Sequence, residues 1–131
     1  MNRNNRCISL VHHHLEPGGV TQVVELSAKA LAVHLAGLEE IRLVSGRSGG
    51  ADVLLKRLEP ECARTGVSVT LKIIDEIDYL QADIEPSDDT EKLVNSIKLR
   101  LLNACAGSIW MIHNYHLGKN PLFTRALLEI A

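Results

Sequence analysis

Short apolar runs alternate along this chain with segments of helical periodicity, and that alternation restricts the fold more than any other feature. Cys7 to His14 (CISLVHHH), Ile41 to Ser45, Gly66 to Ile74 and Ile109 to His113 (IWMIH) are short, largely apolar and bounded by turn residues. Runs of that length and setting read as strands. Between and after them lie segments of good helix formers. Strand–helix repetition of this kind predicts an α/β, three-layer Rossmann-like domain, a mainly parallel sheet flanked by helices on both faces. At 131 residues the chain has the length of one such domain, not two.

The helix boundaries follow from punctuation. Glu16-Pro17-Gly18-Gly19 is a turn signal after the first strand, and Val20 to about Ala36 then forms a helix with apolar residues at Val20, Val23, Val24, Leu31 and Leu35. Gly37 supplies its stop. After the second strand, Gly46, Gly49 and Gly50 precede a short helix from Ala51 to about Leu58, which Pro60 is expected to disrupt. The acid-rich stretch Asp75 to Asp89 reads as an exposed excursion. Asp88 and Glu91 open the next helix, in which Leu93, Val94, Ile97, Leu101 and Cys105 recur at helical spacing, and Gly107 ends it. Pro121 sits in the first turn of the last helix, which reaches Ala131 without a stop signal. On that ground the chain is expected to be cut in mid-fold.

Composition excludes several function classes. Fourteen Lys plus Arg against sixteen Asp plus Glu leave a formal charge of -2, so no overall basic character points to nucleic acid or an anionic membrane. One Trp, two Tyr and one Phe are too few for aromatic base-stacking platforms. The polar start MNRNNR lacks the apolar stretch of a secretory signal, and the longest run free of Asp, Glu, Lys and Arg is broken by Asn, Ser and His, so no transmembrane segment is expected. Cys7, Cys62 and Cys105 contain no CxxC pair and are expected to be buried thiols of a reduced, cytoplasmic protein.

In a parallel sheet, ligands gather at the carboxyl ends of the strands, near the point where strand order reverses. Two loops fall there, His12 to Gly19 and His113 to Asn120. Gly18 and Gly19, between a strand and a helix N-terminus, suit an anion site, because backbone without Cβ atoms can approach a phosphate that the helix dipole favours. The other reading of the pair is a tight turn that needs glycine for its backbone angles. His12, His13 and His14 are open to three readings: metal ligands, structural residues or polar contacts in a cleft. Alternation sends His13 to the opposite face from His12 and His14, so at most two could share a metal, and no Asp or Glu stands at a recognised metal spacing. His113 and Asn114 can hydrogen-bond sugar hydroxyls or serve as satisfied structural groups. Lys119 can counter a phosphate as a point charge or be solvated. The cysteines lack an activating motif, and no G-x-S-x-G elbow is present.

Two stretches together resemble a known family. HHHLEPGGVTQVVELSAKALAVHL, from His12 to Leu35, is similar to the first strand, glycine loop and helix of family-four retaining glycosyltransferases of GT-B type. IWMIHNYHLGKNPLFTRALLEIA, from Ile109 to Ala131, resembles the later strand, loop and helix of the same amino-terminal domain in a bacterial subgroup. The resemblance implies transfer of a sugar, with retention, from a nucleotide diphosphate sugar to an acceptor in a cleft between two Rossmann-like domains. No other cofactor is implied. Gly18 and Gly19 would lie near the donor diphosphate and His113 near the transferred sugar, as the catalytic candidate. His14, Asn114, His116 and Lys119 would be cleft contacts, and no metal is implied.

The family's acidic pair, E-x-x-x-x-x-x-x-E, and the nucleotide pocket belong to a second domain that these residues do not include. The isolated chain is therefore expected to be inactive and to bind nucleotide weakly at most, with a cleft-facing side through which two copies could pair. At full length the protein is expected in the cytoplasm or peripheral to the inner membrane face. A non-catalytic Rossmann-like binding or assembly module, complete at this length, is the alternative. A nucleotide-sugar epimerase of the same two-domain architecture is a third.

Overall fold

The computed structural model describes residues 6–80, 88–113 and 119–131. Its elements run β1 (Cys7–His12), α1 (Gly19–His34), β2 (Glu40–Ser45), α2 (Ala51–Thr65), β3 (Ser68–Ile73), a 3-10 turn (Asp75–Ile77), α3 (Asp88–Ala104), β4 (Ile109–Ile112) and α4 (Pro121–Ile130). All strand pairings are parallel, and the order is β3-β2-β1-β4. This is the expected α/β Rossmann-like arrangement. The chain walks outward from β1 to β3 and then returns to the other side of β1, so strand order reverses between β1 and β4.

Two apolar clusters hold the layers together. Ile8 and Leu10 of β1 and Ile41 and Leu43 of β2 pack on one face against Val24, Ala28 and Ala32 of α1 and Leu54, Leu58 and Cys62 of α2. Val11 and Val44 face the other side, against Val94, Ile97 and Leu101 of α3 and Phe123, Ala126 and Leu127 of α4. Alternate strand residues thus feed alternate layers, as the period of two requires. Central β1 is buried at all six positions, whereas β4, at one edge of the described sheet, is half-exposed, unlike the buried strand expected.

Two further elements, α2 and the acid-rich stretch, differ from the sequence reading. α2 continues through Pro60 to Thr65, because Leu58 and Cys62 keep the buried stripe of Ala51 and Leu54 going and Gly66, at φ 76, closes the helix. An interior proline removes one backbone hydrogen bond, and the buried face outweighs that loss. α1 turns Thr21, Val24, Ala28 and Ala32 inward and leaves Val23 50% exposed, since small residues let the helix lie close on the sheet.

The described part of the acid-rich stretch is not an exposed excursion. Ile74 and Ile77 are buried in the α3/α4 cluster, and Glu76 accepts from Ser96 and pairs with Arg100 of α3. β3 lies at the opposite edge from β4, and the chain must cross the carboxyl edge of the sheet to place α3 on the second face. Residues 75–80 make that crossing.

Candidate functional site

The crossing segment, the end of β1 and the start of α4 meet over the carboxyl edge of the sheet. Asn120, fully buried, clamps them: its Nδ2 donates to the carbonyls of Glu76 and Asp78, both at 2.7 Å, and its Oδ1 accepts the Phe123 amide at 3.0 Å as the N-cap of α4. Gly46, at the end of β2, lies so close that an added Cβ would stand 2.3 Å from the Asp78 nitrogen. Backbone contact at that distance requires glycine.

Tyr79 is delivered by this crossing into the middle of the site. Its ring lies 5.0 Å from those of both His13 and His14, with Arg47 6.0 Å and the Lys119 ammonium 5.7 Å from its centroid. Arg47 also reaches Glu16 at 3.3 Å and Asp78 at 3.4 Å. Arg47, Asp78 and Tyr79 were not candidates from sequence. The apolar spacing of Ile74, Ile77 and Leu80 inside the acidic stretch is the signal that the segment returns to the core.

His13 packs edge-on against Phe123 from the α4 side, 5.2 Å between ring centres, and its Nδ1 donates to the Ile77 carbonyl at 2.7 Å. His12 and His14 are 5.2 Å apart, centre to centre. His12 Nδ1 donates to the carbonyl of His113 at 3.1 Å, while the His113 amide donates to Val11 at 2.9 Å. These bonds tie together the ends of β1 and β4, the two strands at the reversal. Burial lowers the pKa of His12 to about 4 and also lowers those of His14 and His113, with Arg47 adding to the effect at His14. All three imidazoles are neutral at pH 7, suited to hydrogen bonding uncharged groups. Among the described residues, His12 Nε2 and His113 Nδ1 are buried without a hydrogen-bond partner.

Gly18 and Gly19 stand exposed beside this cluster at the N-terminus of α1. Gly18, at φ 162 and ψ 179, is extended backbone that any residue adopts, and a Cβ on either glycine would meet nothing within 4 Å. A tight turn therefore does not explain the pair. Gly50 shows the contrast: φ 80, with an added Cβ 2.3 Å from the Leu15 carbonyl oxygen. Among the described residues α1 has no side-chain cap and no acidic group in its first turn, so its leading amides stay available. A groove of about 300 Å3 between α1 and α2 adjoins Gly18 and is lined by Leu15, Leu26, Val53 and Arg57.

Lys119 is exposed beside Tyr79; Asn114 and His116 lie outside the described residues. Among the described residues no group of three or more His, Cys, Asp or Glu is arranged to hold a metal ion. Cys7, Cys62 and Cys105 are buried free thiols, and burial raises the pKa of each, Cys7 to about 11, which removes thiolate character at neutral pH. No described helix is long and apolar enough to cross a membrane.

Comparison with known proteins adds one relative. The chain is similar to the mannosylglucosyl-3-phosphoglycerate synthase of Petrotoga mobilis, with 31% identity over 121 residues. The match covers 92% of this chain and 22% of the synthase, so the chain spans about a fifth of the length of the curated relative it matches. The relationship it supports is glycosyltransferase-like. No family model matches the chain, and no solved structure matches it.

Proposed function

We propose that these residues form the amino-terminal, acceptor-side domain of a family-four, GT-B type retaining glycosyltransferase that moves a sugar from a nucleotide diphosphate sugar to an acceptor. The observation that carries this reading is the pair Gly18-Gly19, which the fold does not require to be glycine, standing at uncapped helix amides beside a neutral histidine cluster. Backbone N–H groups and the helix dipole stabilise a diphosphate, and do so most as charge grows on it when the glycosidic bond breaks. His113 at the β1/β4 reversal is the group proposed nearest the transferred sugar, with His14 and Lys119 as further contacts. The name of the Petrotoga relative, a synthase of a mannosylglucosyl 3-phosphoglycerate, supports sugar transfer as the chemistry.

A second domain supplies the nucleotide pocket and acidic pair in this reading, so the 131 residues alone bind nucleotide weakly and transfer no sugar. Amide NMR during titration with UDP and with GDP tests the site. Shifts centred on Gly18, Gly19 and Val20 are expected. Shifts confined to other surfaces, or none, would favour a binding or assembly module instead, and robust transfer by the isolated chain would overturn the need for a second domain.

A further inference from the structure

Two histidines at the end of β1 carry opposite tautomers, and the backbone sets each one. His12 Nδ1 faces a carbonyl oxygen and must carry its proton there, which leaves Nε2 as a lone-pair acceptor. His14 Nδ1 instead accepts the Glu16 amide at 3.1 Å, so neutral His14 holds its proton on Nε2. One ring therefore offers an acceptor and its neighbour a donor. Their centres are 5.2 Å apart with the planes inclined at 53°, and no hydrogen bond joins them.

His12 is 2% exposed, and its Nε2 is an acceptor without a partner among the described residues. Folded proteins satisfy nearly all such groups, and the exceptions call for an explanation. The ring contacts of His12 are with His13 and His14, and a benzene ring would also make them. A single oxygen held about 2.8–3.0 Å from each nitrogen would satisfy both rings. The chemistry of that oxygen is restricted. It must accept from His14 Nε2–H and donate to His12 Nε2. A hydroxyl does both; a phosphate or carboxylate oxygen cannot donate, and an ammonium group cannot accept.

We propose that His12 and His14 together read one hydroxyl of the sugar carried by a ligand whose diphosphate lies over Gly18 and Gly19. The proposal rests on the diphosphate reading of that loop. It assigns the buried His12 a specificity-determining contact and gives the opposite tautomers a purpose. The His12 nitrogen is covered, so entry of the hydroxyl requires the half-buried His14 ring to shift away from it while His14 Nδ1 keeps the Glu16 amide that fixes its tautomer.

The test uses the 131-residue chain labelled with 15N at histidine, titrated with UDP-glucose and GDP-mannose and, separately, with UDP and GDP. In the free protein, His12 is expected as the Nδ1–H form and His14 as the Nε2–H form. The sugar nucleotides should move His12 Nε2 toward a hydrogen-bonded shift, whereas UDP and GDP should move only the Gly18 and Gly19 amides. His14→Phe, at a half-buried ring, should weaken the better sugar nucleotide about tenfold and leave its parent diphosphate unchanged, the effect of one lost hydrogen bond. His12→Phe should do the same. Glycine amides that respond to every ligand while His12 Nε2 stays still would overturn the proposal and leave the diphosphate reading intact. The same tautomer on both rings, or a His12 Nε2 already hydrogen-bonded to water in the free chain, would also overturn it. No response at the glycines would remove both readings together.

Discussion

Replacing Gly19 with alanine separates a glycine kept for a ligand from one kept for the fold. Gly19 is the first residue of α1, outside the left-handed region, and its added methyl group meets nothing within 4 Å. The unfolded chain loses freedom and the folded chain gains no clash, so Gly19→Ala should stabilise by about 0.4–1 kcal/mol, a rise of roughly 2–4 °C in Tm. Gly50→Ala is the control. There φ is 80 and the methyl would stand 2.3 Å from the Leu15 carbonyl oxygen and 2.7 Å from Glu16 Cα, so backbone must shift. Left-handed strain alone costs about 1–2 kcal/mol, and the clash adds to it. Urea unfolding of both variants, with diphosphate titration of Gly19→Ala, reads the two quantities. The methyl group stands where a phosphate would approach, so affinity for UDP should fall although stability rises. Gly19→Ala that destabilises by more than 1 kcal/mol, or that binds UDP as the parent does, would refute the reasoning.

Other consequences follow from the same geometry. Asn120→Ala removes two donors and one acceptor from buried partners and should cost about 3 kcal/mol in urea unfolding, with loss of near-ultraviolet dichroism from Tyr79 as the crossing segment loosens. His12 has a folded pKa of about 4 against an ordinary value of 6.5, so the unfolded chain takes up the proton first. Its contribution is fully present above about pH 6.5 and is lost as the pH falls toward 4, up to about 3 kcal/mol, and urea unfolding across that range should show it. His12→Phe should flatten that slope. The three thiols should resist a disulfide reagent in the native chain and react together on unfolding; fast labelling of any one under native conditions would contradict their burial.

The order of elements was legible because glycine and proline punctuate it and apolar runs of strand length separate helical periods. Gly37, Gly66 and Gly107 all take positive φ, and Gly37 and Gly107 follow the helices they were expected to end. The placement of His12 and His113 at the strand reversal was legible for the same reason. What escaped local pattern depends on the third dimension. Pro60 stays helical because of a buried stripe that continues beyond it, which no window centred on the proline reveals. Ile77 and Tyr79 are masked by acidic neighbours, although only a segment crossing the sheet can join β3 to α3. The inward face of α1 is set by Ala28 and Ala32, which meet the sheet where the larger Val23 does not, and a list of its apolar residues does not reveal that. The histidine tautomers follow from carbonyls and amides that lie elsewhere in the sequence or at a bend, and no spacing encodes them.

A crystal structure of the chain soaked with UDP tests the central claim most directly. The account predicts diphosphate oxygens within about 3 Å of the Gly19 and Val20 amides, on the side where His12 and His113 end their strands. A nucleotide seated instead in the α1/α2 groove beside Val53 and Arg57, with the glycine amides left to solvent, would contradict it.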